Sequence, residues 1–166
     1  ERAVASVQQV VTAIGYGHGP FDADLRADGE RCVVLEMTPR LGGNAVPLLV
    51  EHAFGVPLIE LALREAMGEG IPEADLPSPS LSEALTAVLL RSDRSGQVDS
   101  IAPVARIESG IEGLVDFCIN LTAGDTVTRF AHGGHVFGYG ILVTDRIGGF
   151  LRQSSRIMDA LELTLH

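Results

Sequence analysis

The sequence is short of three things: it has two cysteines, no lysine, and no apolar run long enough to cross a bilayer. Cys32 and Cys118 both fall in strand-like segments, and buried free thiols of a reducing compartment suit them better than a disulfide or a metal pair. Without lysine there is no Gly-Lys-Ser/Thr phosphate loop, although glycines gather at Gly15 to Gly19 and at Gly133 to Gly140. A net charge of −10 with no basic cluster argues against a nucleic-acid partner. The short apolar runs, with no basic-then-apolar leader, argue against a membrane partner, so a cytoplasmic location is expected. Neither an internal repeat nor a low-complexity tract occurs. What is present is enough apolar material for a packed core: 46% hydrophobic residues and a mean hydropathy of +0.25 over 166 residues. That length suits one domain or two small ones. The chain begins at Glu1, in what reads as the middle of a helix, and is expected to be a piece of a longer protein.

The stretch around which the rest is organised is Leu35-Glu36-Met37-Thr38-Pro39-Arg40-Leu41-Gly42-Gly43-Asn44. Strand residues deliver a carboxylate and the chain then turns at Pro39 beside a cation. Two glycines follow, and Asn44 is placed to cap a helix. An anion, a cation and open backbone N–H groups at one strand end suit a magnesium–phosphate site.

Upstream, Val4, Val7, Val11 and Ile14 recur at helical spacing and Gly15 marks a stop. From Phe21 the pattern alternates, and after Asp28-Gly29 a second strand runs through Cys32 to Leu35, which predicts a hairpin. A two-residue Asp28-Gly29 turn would oppose Asp24 to Val33. An odd loop centred on Glu30 instead pairs Ala23 with Met37, Leu25 with Leu35 and Asp24 with Glu36. Phe21, Ala23, Leu25, Val33, Leu35 and Met37 then share an apolar face, with Asp22, Asp24, Arg26, Val34, Glu36 and Thr38 on the other. A one-residue slip exchanges the faces, so the apolar pattern selects the second register. It sets two carboxylates side by side, an arrangement that destabilises a sheet unless a cation lies between them.

Pro47 is tolerable in the first turn of a helix ending at Gly55, and Pro57 opens another that carries Leu58, Leu61, Ala62 and Glu65 to Gly68. Residues 71–80, with Pro72, Pro77 and Pro79, read as a linker. Beyond it, Leu85 to Leu90 and Gln97 to Ile101 read as strands around a turn at Asp93 to Gly96. Val115, Phe117, Ile119 and Leu121 alternate inward along a third strand, partnered by Phe137 to Thr144. A last helix turns Phe150, Ile157, Met158 and Leu161 inward. The expected class is α+β: residues 1–70 as one unit and 81–166 as a small, mostly antiparallel domain with a closing C-terminal helix.

Gly19-Pro20-Phe21-Asp22-Ala23-Asp24 followed by Leu35 to Asn44 resembles the C-terminal lobe of the ATP-grasp fold, an antiparallel sheet with helices. The likeness is greatest to ATP-dependent carboxylate–amine ligases, including L-amino-acid ligases, whose pattern is an acid, a hairpin, then Glu-x-Asn-Pro-Arg and a glycine pair. It covers residues 1 to about 70 well; the second half is similar in outline to the small C-terminal domain of those enzymes. The resemblance implies a chemistry in which ATP phosphorylates a carboxylate and an amine attacks the acyl phosphate, releasing ADP and phosphate. It assigns Asp24, Glu36 and Thr38 to Mg2+ (or Mn2+), Arg40 to the nucleotide and the transferring phosphoryl group, and Gly42, Gly43 and Asn44 to substrate. Partners implied are a small carboxylic acid, an amine, and an upstream nucleotide-binding lobe of the same protein, with a homodimer left open. Thr38 replaces the family's Asn, and Asp24 stands where Glu is commoner. The fragment by itself is expected to be inactive.

The blander alternatives are specific. Asp24 and Glu36 would be a solvated hairpin face, Arg40 a surface ion pair with Glu36, and Gly42-Gly43 a loop before a helix. Asp22 is either a neighbour of the metal site or solvated. His132-Gly133-Gly134-His135 is too pliable for a metal pair; a loop touching substrate through Arg129 or His132 is favoured over zinc. Nothing singles out His18 or His52. Rival functions are a carboxylase of the same superfamily acting on bicarbonate, and a non-catalytic binding or oligomerisation module with a degenerate metal site.

Overall fold

The structure, a computed structural model, describes residues 2–71, 84–144 and 147–166, and side chains from residue 152 onward in the last of these. The chain divides into two compact units. Unit 1 takes Glu1–Glu51 with Val56–Pro77, and unit 2 takes His52–Gly55 with Ser78–His166. The expected linker lies, apart from Ile71, outside the described residues, as does the Phe150 side chain. No single helix among the described residues is long and apolar enough to cross a membrane.

Unit 1 holds α1 (Arg2–Ile14), a hairpin of β1 (Asp22–Ala27) and β2 (Cys32–Thr38), α2 (Val46–Phe54) up to Glu51, and α3 (Leu58–Ala66). Gly15, at φ 68°, stops α1: its N–H reaches Thr12 O while Tyr16 N–H reaches Val11 O, the paired bonds that close a helix on a left-handed glycine. The same pair, Gly68 to Glu65 and Glu69 to Arg64, closes α3. The α1 stripe is offset from the expected one. Ser6, Val7, Val10 and Val11 are half-buried, and Ser6 Oγ donates to Cys32 O at 2.8 Å, whereas Val4 and Ile14 are 66% and 61% exposed.

The hairpin keeps one half of the expected register and changes the other. Asp22 pairs with Thr38, Ala23 with Met37 and Asp24 with Glu36, but a bulge follows, and Leu25 then faces Val34, Arg26 faces Val33 and Ala27 faces Cys32. The loop is therefore not odd and centred on Glu30; four residues, Asp28 to Arg31, turn the chain, closed by Asp28 N–H to Arg31 O. Leu35 is the extra residue, 64% exposed, and the bulge moves Val34 onto the half-buried face with Ala23, Met37 and Cys32, while Val33 joins the acidic face at 55% exposure. Alternation alone cannot announce such a device, because one inserted residue reverses every side chain on its turn side.

Unit 2 is built on a three-stranded antiparallel sheet in the order β3 (Ala84–Leu90), β7 (Gly138–Thr144), β5 (Leu114–Ile119). A second sheet, β6 (Thr126–Val127), β4 (Gly96–Ser100), β8 (Thr164–Leu165), and the helices α4 (Val104–Gly110) and α5 (Ile147–Ala160) complete it. Neither α4 nor the two-residue strands were expected; they are too short for a periodic signal. The core contains Leu90, Leu142, Ile157 and Leu161, all fully buried, with Leu114, Phe117 and Ile119 packed on it. Burying each such side chain is worth about 1.5–3 kcal/mol. Val115 does not point inward as alternation predicts: a bulge between Leu114 and Asp116 leaves it 44% exposed and turns Leu114 to the core instead.

Central β7 is nearly all buried, and its glycines permit the approach of both neighbours. A Cβ on Gly138 would lie 2.3 Å from Cys118 O and 2.9 Å from Leu90 Cδ1. Tyr139, beside it, donates to Asp116 Oδ2 at 3.3 Å, and burial, then the Asp116 charge, raise its phenol above the ordinary 10.0. Gly138→Ala should lower the stability of unit 2 by about 3 kcal/mol or more, since backbone must shift to admit the methyl; denaturant melts would show it. The folded state holds the Tyr139 proton more tightly than the unfolded chain, so stability should fall as pH rises beyond about 10, and Tyr139→Phe should flatten that fall in alkaline melts.

Candidate functional site

The polar face of the hairpin carries Asp24, Glu36 and Thr38, with Asp22 beside them. Because Asp24 and Glu36 are directly opposed, their side chains leave the ribbon on the same side, both exposed. Thr38, two residues along, shares that face and its Oγ1 donates to Glu36 Oε1 at 3.1 Å. The donor set is two carboxylates and a hydroxyl, all hard oxygens, which fits magnesium or manganese. Among the described residues no three carboxylate, imidazole or thiol groups cluster as a cage. The pair would thus hold a divalent ion only with other oxygens, such as phosphate and water, completing the shell.

Arg40 stands at the end of β2, but its partner is Asp22 rather than Glu36. Nη1 donates to Asp22 Oδ2 at 3.1 Å and to Leu41 O at 2.8 Å. Both bonds use one nitrogen, so Nε and Nη2 keep their outward donors, the edge that grips a phosphoryl or carboxylate group in two-point fashion. Asp22 is therefore the residue that orients the cation. Its place on the same strand face two positions before Asp24 is the sequence signal for it.

The glycine pair serves two different ends. A Cβ on Gly42 would meet Val46 Cγ1 at 3.1 Å and Asp22 Oδ1 at 3.3 Å, so bareness here lets the chain pass close to the Asp22 carboxylate; Gly43 faces open space. Asn44 is not a conventional helix cap. It and Ala45 both adopt left-handed backbone, at φ 56° and 65°, and α2 starts after them at Val46. Asn tolerates this region, whereas alanine gives up roughly 1–2 kcal/mol there. No sequence signal pointed to Ala45.

His132 and His135 stack at 3.9 Å between centroids, and each Nδ1 accepts a backbone N–H, from Gly134 and Ala131 at 3.1 Å. These bonds occupy one ring nitrogen of each and fix the loop internally; they do not assemble a metal site. The 129–135 loop belongs to unit 2 and the acidic face to unit 1.

This architecture is that of known proteins. The chain has the fold of the C-terminal part of the ATP-grasp proteins, which the following solved structures share. Phosphoribosylglycinamide synthetase from Anaerococcus prevotii superposes with a TM-score of 0.76 at 17% identity, over 98% of this chain and 41% of its own. L-amino acid ligase from Bacillus licheniformis gives 0.75 at 17% identity, over 99% and 40%. N5-carboxyaminoimidazole ribonucleotide synthetase from Thermotoga maritima gives 0.64 at 21% identity, over 96% and 41%. A relative by sequence is the uncharacterized protein y4rH of Sinorhizobium fredii, 37% identical over 129 residues, or 78% of this chain. The chain spans about a quarter (26%) of that relative's length. No family model matches the chain.

Replacing Ala45 with glycine should relieve the left-handed strain and raise stability by about 0.5–1 kcal/mol, the relief exceeding glycine's added chain entropy; thermal melts of Ala45→Gly would register it.

Proposed function

We propose that the chain is the C-terminal part of an ATP-dependent carboxylate–amine ligase that forms an acyl phosphate and releases ADP and phosphate. The observation that carries this reading is the opposition of Asp24 and Glu36 on one exposed face, with Thr38 beside them and Arg40 held at the strand end. Like charges directly opposed on a ribbon destabilise it, which a divalent ion would reverse.

In this reading Asp24, Glu36 and Thr38 hold Mg2+, which when bound supplies charge neutralisation along the nucleotide phosphates. The Thr38 hydroxyl donates its hydrogen bond to Glu36 and so leaves its oxygen lone pairs free, the correct polarity for a ligand. Arg40, pinned through Nη1, offers its remaining edge to the transferred phosphoryl group, so less side-chain freedom is lost when the group arrives. Asp22 keeps that edge aimed. Gly42 lies against Asp22, and the turn that it opens would face the acid substrate, with Asn44 offering its amide. The nucleotide's other contacts would come from an upstream lobe of the longer protein, in which turnover would reside.

The test is a titration of Mg2+ and ADP into the protein carrying this chain together with its nucleotide-binding lobe. Mg2+ alone should bind weakly, because two carboxylates leave most of the shell to phosphate and water. Metal-dependent ADP binding should weaken at least about tenfold in Asp24→Asn and in Glu36→Gln, the loss of one charged ligand each. Arg40→Lys should lower turnover more than nucleotide affinity, since a point charge cannot keep the Asp22 bond and grip a phosphoryl edge at once. Unchanged binding in both acid variants would turn the assignment to a non-catalytic module.

A further inference from the structure

We propose that unit 2 carries a binding site of its own for a small organic anion, a carboxylate or phosphate on an apolar body, in the groove where Arg91, Arg94 and Arg129 converge. The groove has a volume of about 980 Å³ and runs between β3, the turn after it, the 129–130 segment and the C-terminal part of α5. That is the scale of a small-molecule site. Its floor is apolar, from Val88, Met158 and Leu161, and three arginines stand on its rim.

The charge count favours an anion once existing pairs are removed. Three acids also line the groove: Asp93, Asp159 and Glu162. Asp93 lies 3.9 Å from Arg94, and Glu162 is ion-paired with Arg106 outside the groove. Arg91 and Arg129 remain against Asp159 alone. Among the described residues the Arg129 guanidinium has no hydrogen-bond or ion-pair partner. In a chain of net charge −10, this leaves the groove lining with one positive charge in excess.

The rim is also held in place before any ligand arrives. Phe130 N–H donates to Ser92 O at 2.8 Å and Arg129 N–H to Ser95 Oγ at 2.9 Å, tying the two loops together. Ser92, only 7% exposed, accepts the Arg94 N–H at 3.1 Å. The Arg91 guanidinium lies 4.6 Å above the Phe130 ring, which uses its face and leaves its edge donors to point outward. Two forked cations on braced loops over an apolar floor match an anionic head with a flat or aliphatic tail. This inference stands apart from the acyl-phosphate reading: it uses no residue of unit 1.

The experiment is a titration of the 166-residue chain, followed through its backbone amide NMR signals, with phenyl phosphate and with phenylacetate as probes, and inorganic phosphate as the head group alone. Saturable shifts are expected at residues 91–95, 129–130 and 154–163, with inorganic phosphate weaker than phenyl phosphate because it lacks the apolar part. Preference between the two phenyl probes identifies the head group. Arg129→Ala should weaken binding roughly tenfold and Arg129→Lys less. Arg91→Ala should weaken it too. Because that change also frees Phe130, the decisive variant is Arg129→Ala, which removes an exposed side chain without a partner among the described residues. Non-saturating shifts, shifts centred on residues 22–42, or affinity indifferent to Arg129→Ala would each overturn the site. Failure of the Mg2+–ADP titration would leave this result untouched.

Discussion

Two carboxylates facing one another across a two-stranded ribbon set the terms for unit 1. Asp24 and Glu36 oppose directly, which a hairpin tolerates only at some cost in stability. Beside them a bulge inserts Leu35, which leaves the acids on the polar side and turns Val34 toward the half-buried side. The two requirements, an acidic rim and an apolar underside, meet at one irregular position.

The same physical device recurs in unit 2 for a different end. At Leu114 to Asp116 a bulge again breaks alternation, and it exchanges Val115 for Leu114 in the core. Beneath it, glycines at 138 and 140 bring three strands close enough for Ile157 to seal the sheet. This unit is thus packed first and charged second: the arginines of its groove, Arg91, Arg94 and Arg129, sit on loops at the rim, where guanidinium groups cost no burial. In unit 1 the charged groups are carried on the strands themselves.

Charge in this protein is arranged by geometry more than by amount. Arg40 has an acid on the strand beside it, two on its hairpin face, and spends a single nitrogen on one of them. The histidines at 132 and 135, which share a metal-like spacing, spend their nitrogens on backbone N–H groups and so brace a loop. Spacing in a sequence shows what could meet; hydrogen-bond partners decide what each group has left to offer.

The chain by itself determined a good deal. The α+β class, the hairpin, the pairing of Asp24 with Glu36, the Pro47 and Pro57 helix starts and the glycine stops at 15, 55 and 68 all follow from local chemistry, because turns, prolines and left-handed glycines act within a few residues. The likeness to ATP-grasp proteins was legible from the Glu36 to Gly43 run, and the superposed structures share that fold. Only the folded structure decided where the two bulges fall, that Arg40 turns to Asp22, that Asn44 and Ala45 take left-handed backbone instead of capping α2, and that Arg91, Arg94 and Arg129 meet. Each of these depends on contacts between segments distant in sequence, where packing overrides periodicity and one inserted residue changes which side a side chain serves.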